Sequence, residues 1–225
     1  MVKLFSIDAN IGCGKSTLIK TLSNINVDNK EIWTLPEPTN IWEQIKDNRG
    51  KNILACFYEN QEKYSFAFQI TALHSRKKIL REEFEKAKHH EESTGKEVII
   101  ITERTVTSDY YIFAKMLHDS GKISDLEFSV YNLCFNEYKD MFKVNKAIYI
   151  DSTPELCLKR CIKRSRQGEE NIPLSYLQKI HNQHLLYYDE YLSKHNCIII
   201  DGKLDILSQE YQTQVRKVID YLTTQ

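Results

Sequence analysis

The stretch that decides the fold lies near the start of the chain and is Ala9-Asn10-Ile11-Gly12-Cys13-Gly14-Lys15-Ser16-Thr17. A short apolar run at residues 2–7 precedes it, and a segment with helical periodicity at 18–22 follows it. The order of strand, glycine-rich turn and helix is typical of a phosphate-binding P-loop, whose pattern is G-x-x-x-x-G-K-[ST]. Ala9 stands where the first glycine belongs, and its methyl group fits if the backbone φ angle is negative.

The residue types of this loop suit phosphate binding. Small residues let successive backbone N–H groups curve around an anion, and the start of a helix adds free donors and a favourable dipole. Lys15 supplies a positive charge for the outer phosphates, and Ser16 supplies a hydroxyl for Mg²⁺. We therefore expect ATP to bind along Asn10, Ile11, Gly12, Cys13, Gly14, Lys15, Ser16 and Thr17.

Composition limits the classes of function. The 225 residues suffice for one α/β domain with a full core, or for a domain with a small lid. Basic and acidic residues both number 31, so the formal net charge is zero and nothing demands a nucleic acid or a membrane partner. Because no apolar run reaches the length of a membrane span and the first strand begins almost at once, we expect a cytoplasmic protein without a targeting segment.

The six cysteines show no Cys-x-x-Cys pair and indicate reduced, intracellular thiols. Cys157 and Cys161 share a helix face, where two buried small side chains are favoured over a two-thiolate metal site. Cys13 lies inside the phosphate loop and is a candidate for an oxidation-sensitive thiol.

Apolar, β-branched runs alternate with helical patterns along the chain, which predicts a parallel sheet with crossover helices. The runs cover residues 2–7, 32–35, 98–102, 147–150 and 197–200. They do not alternate with polar residues, as expected for strands that are covered on both faces. The helical patterns cover residues 61–92, 108–119, 123–142, 154–163, 174–194 and 207–222, of which the first has an apolar beginning and a charged end.

Ligands of parallel α/β sheets gather at the carboxyl ends of the strands. Glu37 follows the second predicted strand, and Glu103 and Arg104 follow the third, so these side chains should converge on the phosphate loop. Phosphoryl transfer needs such groups: a carboxylate that accepts a proton, another that holds Mg²⁺, and a cation for the developing charge.

A basic cluster of Arg160, Arg164 and Arg166 precedes Glu169. Alone, it would indicate a solvated charged face. Beside a phosphate loop, it predicts a lid over residues 160–171 that closes on ATP and excludes water. We expect the three like charges to repel one another until phosphates neutralise them.

Taken together, the residues resemble the deoxycytidine, deoxyguanosine and deoxyadenosine kinase branch of the deoxynucleoside kinase family. The similarity runs over nearly the whole chain. Besides the phosphate loop, it rests on Pro36-Glu37-Pro38 with Trp42, Tyr58-Glu59, Ser65-Phe66-Ala67-Phe68-Gln69 with Ser75-Arg76, Glu103-Arg104-Thr105-Val106, Ser108-Asp109 with Tyr111-Ile112-Phe113-Ala114, Thr153-Pro154-Glu155, and Ile172-Pro173-Leu174.

The resemblance implies a P-loop kinase fold, an α/β structure in which helices flank a five-stranded parallel sheet, with an arginine-rich lid and a single domain over residues 1–225. It implies transfer of the γ-phosphoryl group of ATP, with Mg²⁺, to the 5′-hydroxyl of a deoxynucleoside. It also implies a homodimer. The apolar crowding of one helix agrees with a dimer, although that helix could instead be buried on two sides within one chain; the crowded residues are Phe128, Val130, Tyr131, Leu133, Cys134 and Phe135.

The resemblance also implies residue roles. Glu37 resembles the general base, although it could also cap the next helix, and Glu103 resembles the carboxylate linked to Mg²⁺ beside Ser16. Arg104 resembles the guanidinium near the reacting oxygen, with Lys15 as the second catalytic cation. The remaining substrate contacts are Tyr58 and Glu169 for the 3′-hydroxyl, Phe68 and Phe113 for the faces of the base, Gln69, Arg76 and Asp109 for its edge, and Trp42 beside them. Asp205 lies in the segment that resembles the loop around the base of ATP.

Arg76 and Asp109 occupy positions that are apolar in thymidine-preferring relatives. A charged pair there disfavours thymidine and leaves deoxyadenosine, deoxyguanosine and deoxycytidine open. Two other functions compete with this one. A nucleoside monophosphate kinase of the thymidylate kinase type would need further arginine near the acceptor, and a non-catalytic nucleotide sensor would not need Glu37, Glu103 and the lid arginines together.

Overall fold

The computed structural model of the protein describes residues 2–23, 25, 27, 29–166, 168–169, 172–194 and 196–224. Its five strands form one parallel sheet in the order β2-β3-β1-β4-β5. The predicted strands are confirmed and extend slightly further, as β1 (Lys3–Ala9), β2 (Lys30–Leu35), β3 (Glu97–Glu103), β4 (Val144–Asp151) and β5 (Cys197–Asp201).

The two faces of the sheet are both buried, which explains the uninterrupted apolar runs. Leu4 pairs with Ile100 in register, and Phe5 pairs with Ile101. Leu4 and Ile100 pack into a cluster on one side, whereas Phe5 and Ile101 belong to the large core on the other. Successive side chains of a strand thus pack into clusters on opposite faces of the sheet, because side chains alternate between the two faces along a strand.

The longest helix, α4 (Gln61–Thr94), matches the predicted segment 61–92. It begins where the Asn60 side chain accepts a hydrogen bond from the Lys63 backbone N–H, and it ends at Gly95, whose φ of 72° gives the left-handed cap that suits glycine. Its buried residues concentrate between Ser65 and Leu80, so the expected division into a buried first half and a solvated second half is confirmed.

The other predicted helices are confirmed with differences at their ends, whereas the short helices at Thr39–Gln44 and Ile53–Glu59 were not predicted from the sequence. The predicted helix 108–119 is continuous but irregular, because a π-helical segment at Asp109–Ala114 joins two α-helical pieces. The helix expected over 123–142 ends at Tyr138, and the one expected over 174–194 becomes a 3₁₀ turn at Leu192–Lys194. The helices are α1 (Lys15–Leu22), α2 (Thr39–Gln44), α3 (Ile53–Glu59), α5 (Val106–Ser108), α6 (Lys115–Asp119), α7 (Asp125–Tyr138), α8 (Pro154–Arg164), α9 (Leu174–Glu190) and α10 (Gln209–Thr223).

A lysine on β4 holds the end of the last helix. The ammonium of Lys146 donates hydrogen bonds to the carbonyl oxygens of Tyr221 at 2.5 Å and Thr224 at 2.7 Å. The last carbonyl groups of a helix have no partner within the helix. A cation there satisfies them and interacts favourably with the negative end of the helix dipole. Lys146 therefore ties the carboxyl-terminal turn of α10 to the sheet.

We predict that Lys146→Met lowers the free energy of unfolding by about 1–3 kcal/mol, because it removes a charged, largely buried donor from those carbonyl groups. Urea denaturation measures the change. Lys217→Met on the exposed face of α10 is the matched control and should stay within about 0.5 kcal/mol of the parent. Equal effects of the two substitutions would show that the hydrogen bonds of Lys146 contribute nothing specific.

Candidate active site

The phosphate loop connects β1 to α1 through two glycines with positive φ angles. Gly12 has a φ of 76° and Gly14 a φ of 105°, so both need the conformational freedom of glycine. Gly12 also lies against α8, since a Cβ atom there would be 2.5 Å from the carbonyl oxygen of Cys157. Ala9 is the last residue of β1 and tolerates its methyl group because its backbone is extended.

The side chain of Lys15 curls over its own loop. Its Nζ atom donates to the carbonyl oxygens of Ala9 at 3.2 Å and Asn10 at 2.9 Å, and it lies 3.8 Å from a carboxylate oxygen of Glu103. Burial lowers the pKa of Lys15. The Asn10 side chain donates to the carbonyl oxygen of Leu177 at 2.9 Å, so it fastens the loop to α9.

Beneath the expected position of the phosphates, the Ser16 hydroxyl donates to Glu103 Oε2 at 3.1 Å. A hydroxyl and a buried carboxylate in contact are hard oxygen ligands of the kind that Mg²⁺ takes. Among the described residues, no three histidine, cysteine or acidic side chains are grouped so that they could hold a metal ion by themselves. The pair therefore fits a Mg²⁺ ion that keeps most of its coordination for water and phosphate oxygens.

Glu37 lies between two buried guanidinium groups. Its Oε1 atom is 3.4 Å from Arg76 Nη2 and 3.4 Å from Arg104 Nε. Burial raises the pKa of Glu37, but Arg104 and then Arg76 outweigh it, so the pKa lies below the ordinary glutamate value and the group is a carboxylate at neutral pH. The residue that caps α2 is Pro38, without a side-chain hydrogen bond, so the alternative capping role of Glu37 is wrong.

Arg76 is almost fully buried and makes the expected ion pair with Asp109. Its Nε donates to Asp109 Oδ2 at 2.6 Å, and its Nη2 donates to Oδ1 at 3.2 Å. A third bond runs from Nη1 to the carbonyl oxygen of Glu103 at 2.6 Å. Burial lowers the pKa of Arg76, but the Asp109 carboxylate outweighs it and holds that pKa above the ordinary value.

One cavity, which we call the inner cavity, brings together every residue that the sequence analysis assigned to the nucleoside. These residues are Glu37, Trp42, Tyr58, Phe68, Gln69, Arg76, Arg104, Asp109, Phe113 and Glu169. Trp42 donates through its indole N–H to the Ser75 hydroxyl at 3.0 Å, and its ring meets Phe68 edge-on at 5.1 Å. Four further residues line this cavity and were not expected from the sequence, because apolar and aromatic side chains on helices carry no signal that separates a cavity from a core; they are Leu54, Phe57, Ala72 and Tyr176.

A second opening, the outer cleft, contains most of the residues assigned to ATP. Its lining includes Gly12, Cys13, Gly14, Lys15, Ser16, Thr17, Arg160, Arg164, Arg166 and Asp205. Ile11 instead lines the inner cavity, and Asn10, which was also assigned to ATP, lines neither opening. The two openings share Gly12, Lys15, Glu103, Arg164 and Arg166. The phosphate loop and the arginines therefore form the boundary between them.

The arginines of the lid segment are paired, which contradicts the expected mutual repulsion. Arg164 and Arg166 both donate to the carboxylate of Glu169, the second at 3.2 Å, so this one acid neutralises part of their charge. Arg160 donates to the carbonyl oxygen of Gly202 at 2.6 Å and thus connects α8 to the turn after β5. Gln167, Glu170 and Asn171 of the predicted lid lie outside the described residues.

The cysteines agree with the prediction of reduced thiols. All six, each within the described part of the chain, are free. Cys157 and Cys161 are fully buried small side chains, as expected, and lie under the phosphate loop. A hydrogen bond with Cys157 lowers the pKa of Cys13.

The proteins to which this chain is similar are nucleoside kinases, in agreement with the two openings and the phosphate loop. The family model for deoxynucleoside kinases matches residues 5–223. The deoxycytidine kinase of Homo sapiens is 31% identical to this chain, over 99% of the chain and 92% of the relative. A probable deoxycytidine kinase of Fowlpox virus is 34% identical over 86% and 73%, and a mitochondrial deoxyguanosine kinase of Xenopus laevis is 31% identical over 81% and 72%.

The chain therefore belongs to the deoxynucleoside kinase family. It is an enzyme, namely a nucleoside kinase that functions in nucleoside salvage. The family match favours this function over a thymidylate kinase and over a non-catalytic nucleotide sensor.

Proposed function

We propose that the protein transfers the γ-phosphoryl group of ATP to the 5′-hydroxyl of a deoxynucleoside, with Mg²⁺. One observation carries the proposal: the inner cavity and the outer cleft meet at Lys15, Glu103 and the lid arginines. A nucleoside in the first and ATP in the second would bring acceptor and donor together at a boundary rich in positive charge. Phosphoryl transfer depends on such positioning and charge stabilisation.

In this proposal, Glu37 accepts the proton of the 5′-hydroxyl as the bond to phosphorus forms. Its carboxylate state suits that role, and the flanking Arg104 is close enough to stabilise the charge of the transferring group. Lys15 acts on the donor side of the same boundary. Mg²⁺, held through Ser16 and Glu103, would neutralise charge on the phosphates of ATP.

The inner cavity supplies contacts for the rest of the nucleoside. Tyr58 and Glu169 are proposed to bind the sugar 3′-hydroxyl, and Phe68 and Phe113 to enclose the base between their rings. Gln69 offers a donor and an acceptor to the base edge beside the Arg76–Asp109 pair. The charged pair favours deoxyadenosine, deoxyguanosine or deoxycytidine over thymidine, whose 5-methyl group needs an apolar partner.

We further propose one kinase domain over residues 1–225, with residues 160–171 as a lid that closes on ATP, and a cytoplasmic location. Among the helices that the structure describes, none combines the length and the apolar character that crossing a membrane requires. Asp205 and Arg160 both line the outer cleft; the first is proposed to lie beside the base of ATP, and the second belongs to the proposed lid.

We also propose that the protein is a homodimer that pairs through α7. This helix is not buried on two sides within the monomer: Tyr131 and Phe135 face the core, whereas Leu126, Val130 and Leu133 are exposed on the opposite side. Their spacing of four and three residues makes one apolar stripe along the helix. The Leu133 side chain is 75% exposed, and the same stripe on a second copy of the chain would cover it.

We predict that Glu37→Gln keeps nucleoside binding and lowers kcat by about 10²–10⁴-fold, the usual contribution of a general base. Steady-state kinetics and calorimetric titration of the deoxynucleoside measure the two quantities. Glu43→Gln, on the exposed side of α2, is the matched control and should keep full activity. A loss below about tenfold would remove Glu37 from this role.

The double substitution Arg76→Met with Asp109→Ala should raise the use of thymidine relative to deoxycytidine and the purine deoxynucleosides. Either single change leaves a buried unpaired charge at a cost of about 3–5 kcal/mol, so the double variant is the better folded one. Because Arg76 also contacts Glu37 and the Glu103 carbonyl, absolute rates should fall for every substrate, and the ratio of kcat/KM values is the measurement. An unchanged ranking, as expected for the exposed control Lys78→Met, would show that the pair does not select the base.

Multi-angle light scattering should give twice the monomer mass at micromolar concentration. Leu133→Glu should produce monomers, since it inserts a charge into the apolar stripe at both sides of the interface. Leu186→Glu changes an exposed leucine of α9 and should leave the dimer intact. A parent protein that stays monomeric at every concentration would refute the dimer.

A further inference from the structure

Arg104 has an unusual backbone and few partners. Its φ of 64° is in the left-handed region, which non-glycine residues rarely adopt, and its side chain is only 2% exposed. The guanidinium carbon lies 4.5 Å from the ring centre of Phe113, and the Nε atom lies 3.4 Å from Glu37. Neither contact involves the terminal nitrogen atom Nη1, which needs a partner of its own to fix the direction of the guanidinium.

That partner is His184 on α9, which the sequence analysis did not identify. Its Nε2 atom lies 3.4 Å from Arg104 Nη1, and its Nδ1 atom lies 2.8 Å from the carbonyl oxygen of Ile180. A carbonyl oxygen only accepts, so we assign the ring hydrogen to Nδ1. A guanidinium only donates, so Nε2 must offer its lone pair to Arg104, which requires the neutral imidazole.

The surroundings keep the ring neutral and fixed. His184 is 1% exposed, stacks on Tyr149 with ring centres 5.9 Å apart, and meets Phe113 edge-on at 6.5 Å. Burial, aided by the charge of Arg104, lowers the pKa of His184 well below its ordinary value. A histidine held in this way has one orientation and one tautomer available, so its lone pair has a fixed direction.

We propose that His184 is a positioning residue of this kinase: its neutral Nε2 accepts a hydrogen bond from Arg104 and aims the guanidinium at the transferring phosphoryl group. His184 lines neither the inner cavity nor the outer cleft, so it acts through Arg104 and does not itself touch substrate. The proposal rests on the catalytic role proposed for Arg104. If His184 only packed against its neighbours, it would need its ring but not the lone pair of Nε2. Substitutions that keep one and remove the other therefore distinguish a packing role from a positioning role.

Three substitutions separate these roles. His184→Gln can reach Arg104 with an acceptor at about the distance of Nε2, whereas His184→Asn reaches only as far as Nδ1 and can bond Ile180 alone. His184→Phe keeps an aromatic ring without an acceptor. The neighbouring His181→Phe, on the same helix and outside both openings, is the matched control.

We expect His184→Phe and His184→Asn to lower kcat by about 10–100-fold, the factor that a hydrogen bond to a charged group supplies. The KM for the deoxynucleoside should change by less than about threefold, because the lost interaction acts in the transition state. His184→Gln should recover most of kcat, and melting temperatures identify any variant that is poorly folded. Equal losses in the Gln and Asn variants, or an unchanged kcat in His184→Phe, would overturn the proposal.

A double-mutant cycle with Arg104→Met distinguishes the positioning role of His184 from the catalytic role of Arg104. If His184 acts through Arg104, then His184→Phe should cause no further loss of kcat once Arg104 is replaced. Additive losses would mean that His184 acts independently and would refute the positioning role. If Arg104→Met itself leaves kcat unchanged, the proposed catalytic role of Arg104 fails instead.

Discussion

The active site is built around the compensation of one buried positive charge. Arg76 has a side chain only 1% exposed, and its donors reach Asp109, the Glu103 carbonyl and Glu37. A charge in such surroundings is stable only with close, well-directed partners. Meeting that requirement fixes the distance between α4 and the ends of β2 and β3. The same contacts connect the residue proposed to read the base with the carboxylate proposed to take the proton.

The second cation, Arg104, is held by weaker and more varied contacts. It has an aromatic face in Phe113, a shared carboxylate in Glu37 and a lone pair in His184. None of these neutralises it fully, so its charge remains available to a phosphoryl group. The two arginines therefore differ in role: Arg76 is fully paired within the protein, whereas Arg104 is held in one direction but is incompletely paired.

Much of the fold and most of the site could be predicted from the sequence. The strands were recognisable because both faces of the sheet are covered, which leaves uninterrupted β-branched runs such as the one in β3. The site residues were recognisable because parallel strands deliver Glu37, Glu103 and Arg104 to one edge of the sheet. The family resemblance added those on α4, whose spacing in a single long helix turns Phe68, Gln69 and Arg76 towards one cavity.

By itself, the amino-acid sequence determined the five strands and the long helices in their order along the chain, the phosphate loop and the residue types of the site. These follow from local periodicity and from the residues that stand at the end of each strand. Only the tertiary structure decided how the charges are paired. A lone histidine on a helix gives no sign that it will meet Arg104, and an arginine gives no sign that it will adopt a positive φ. Likewise, Glu169 neutralises Arg164 and Arg166, and Asn10 is bound to α9, because distant segments are packed against each other.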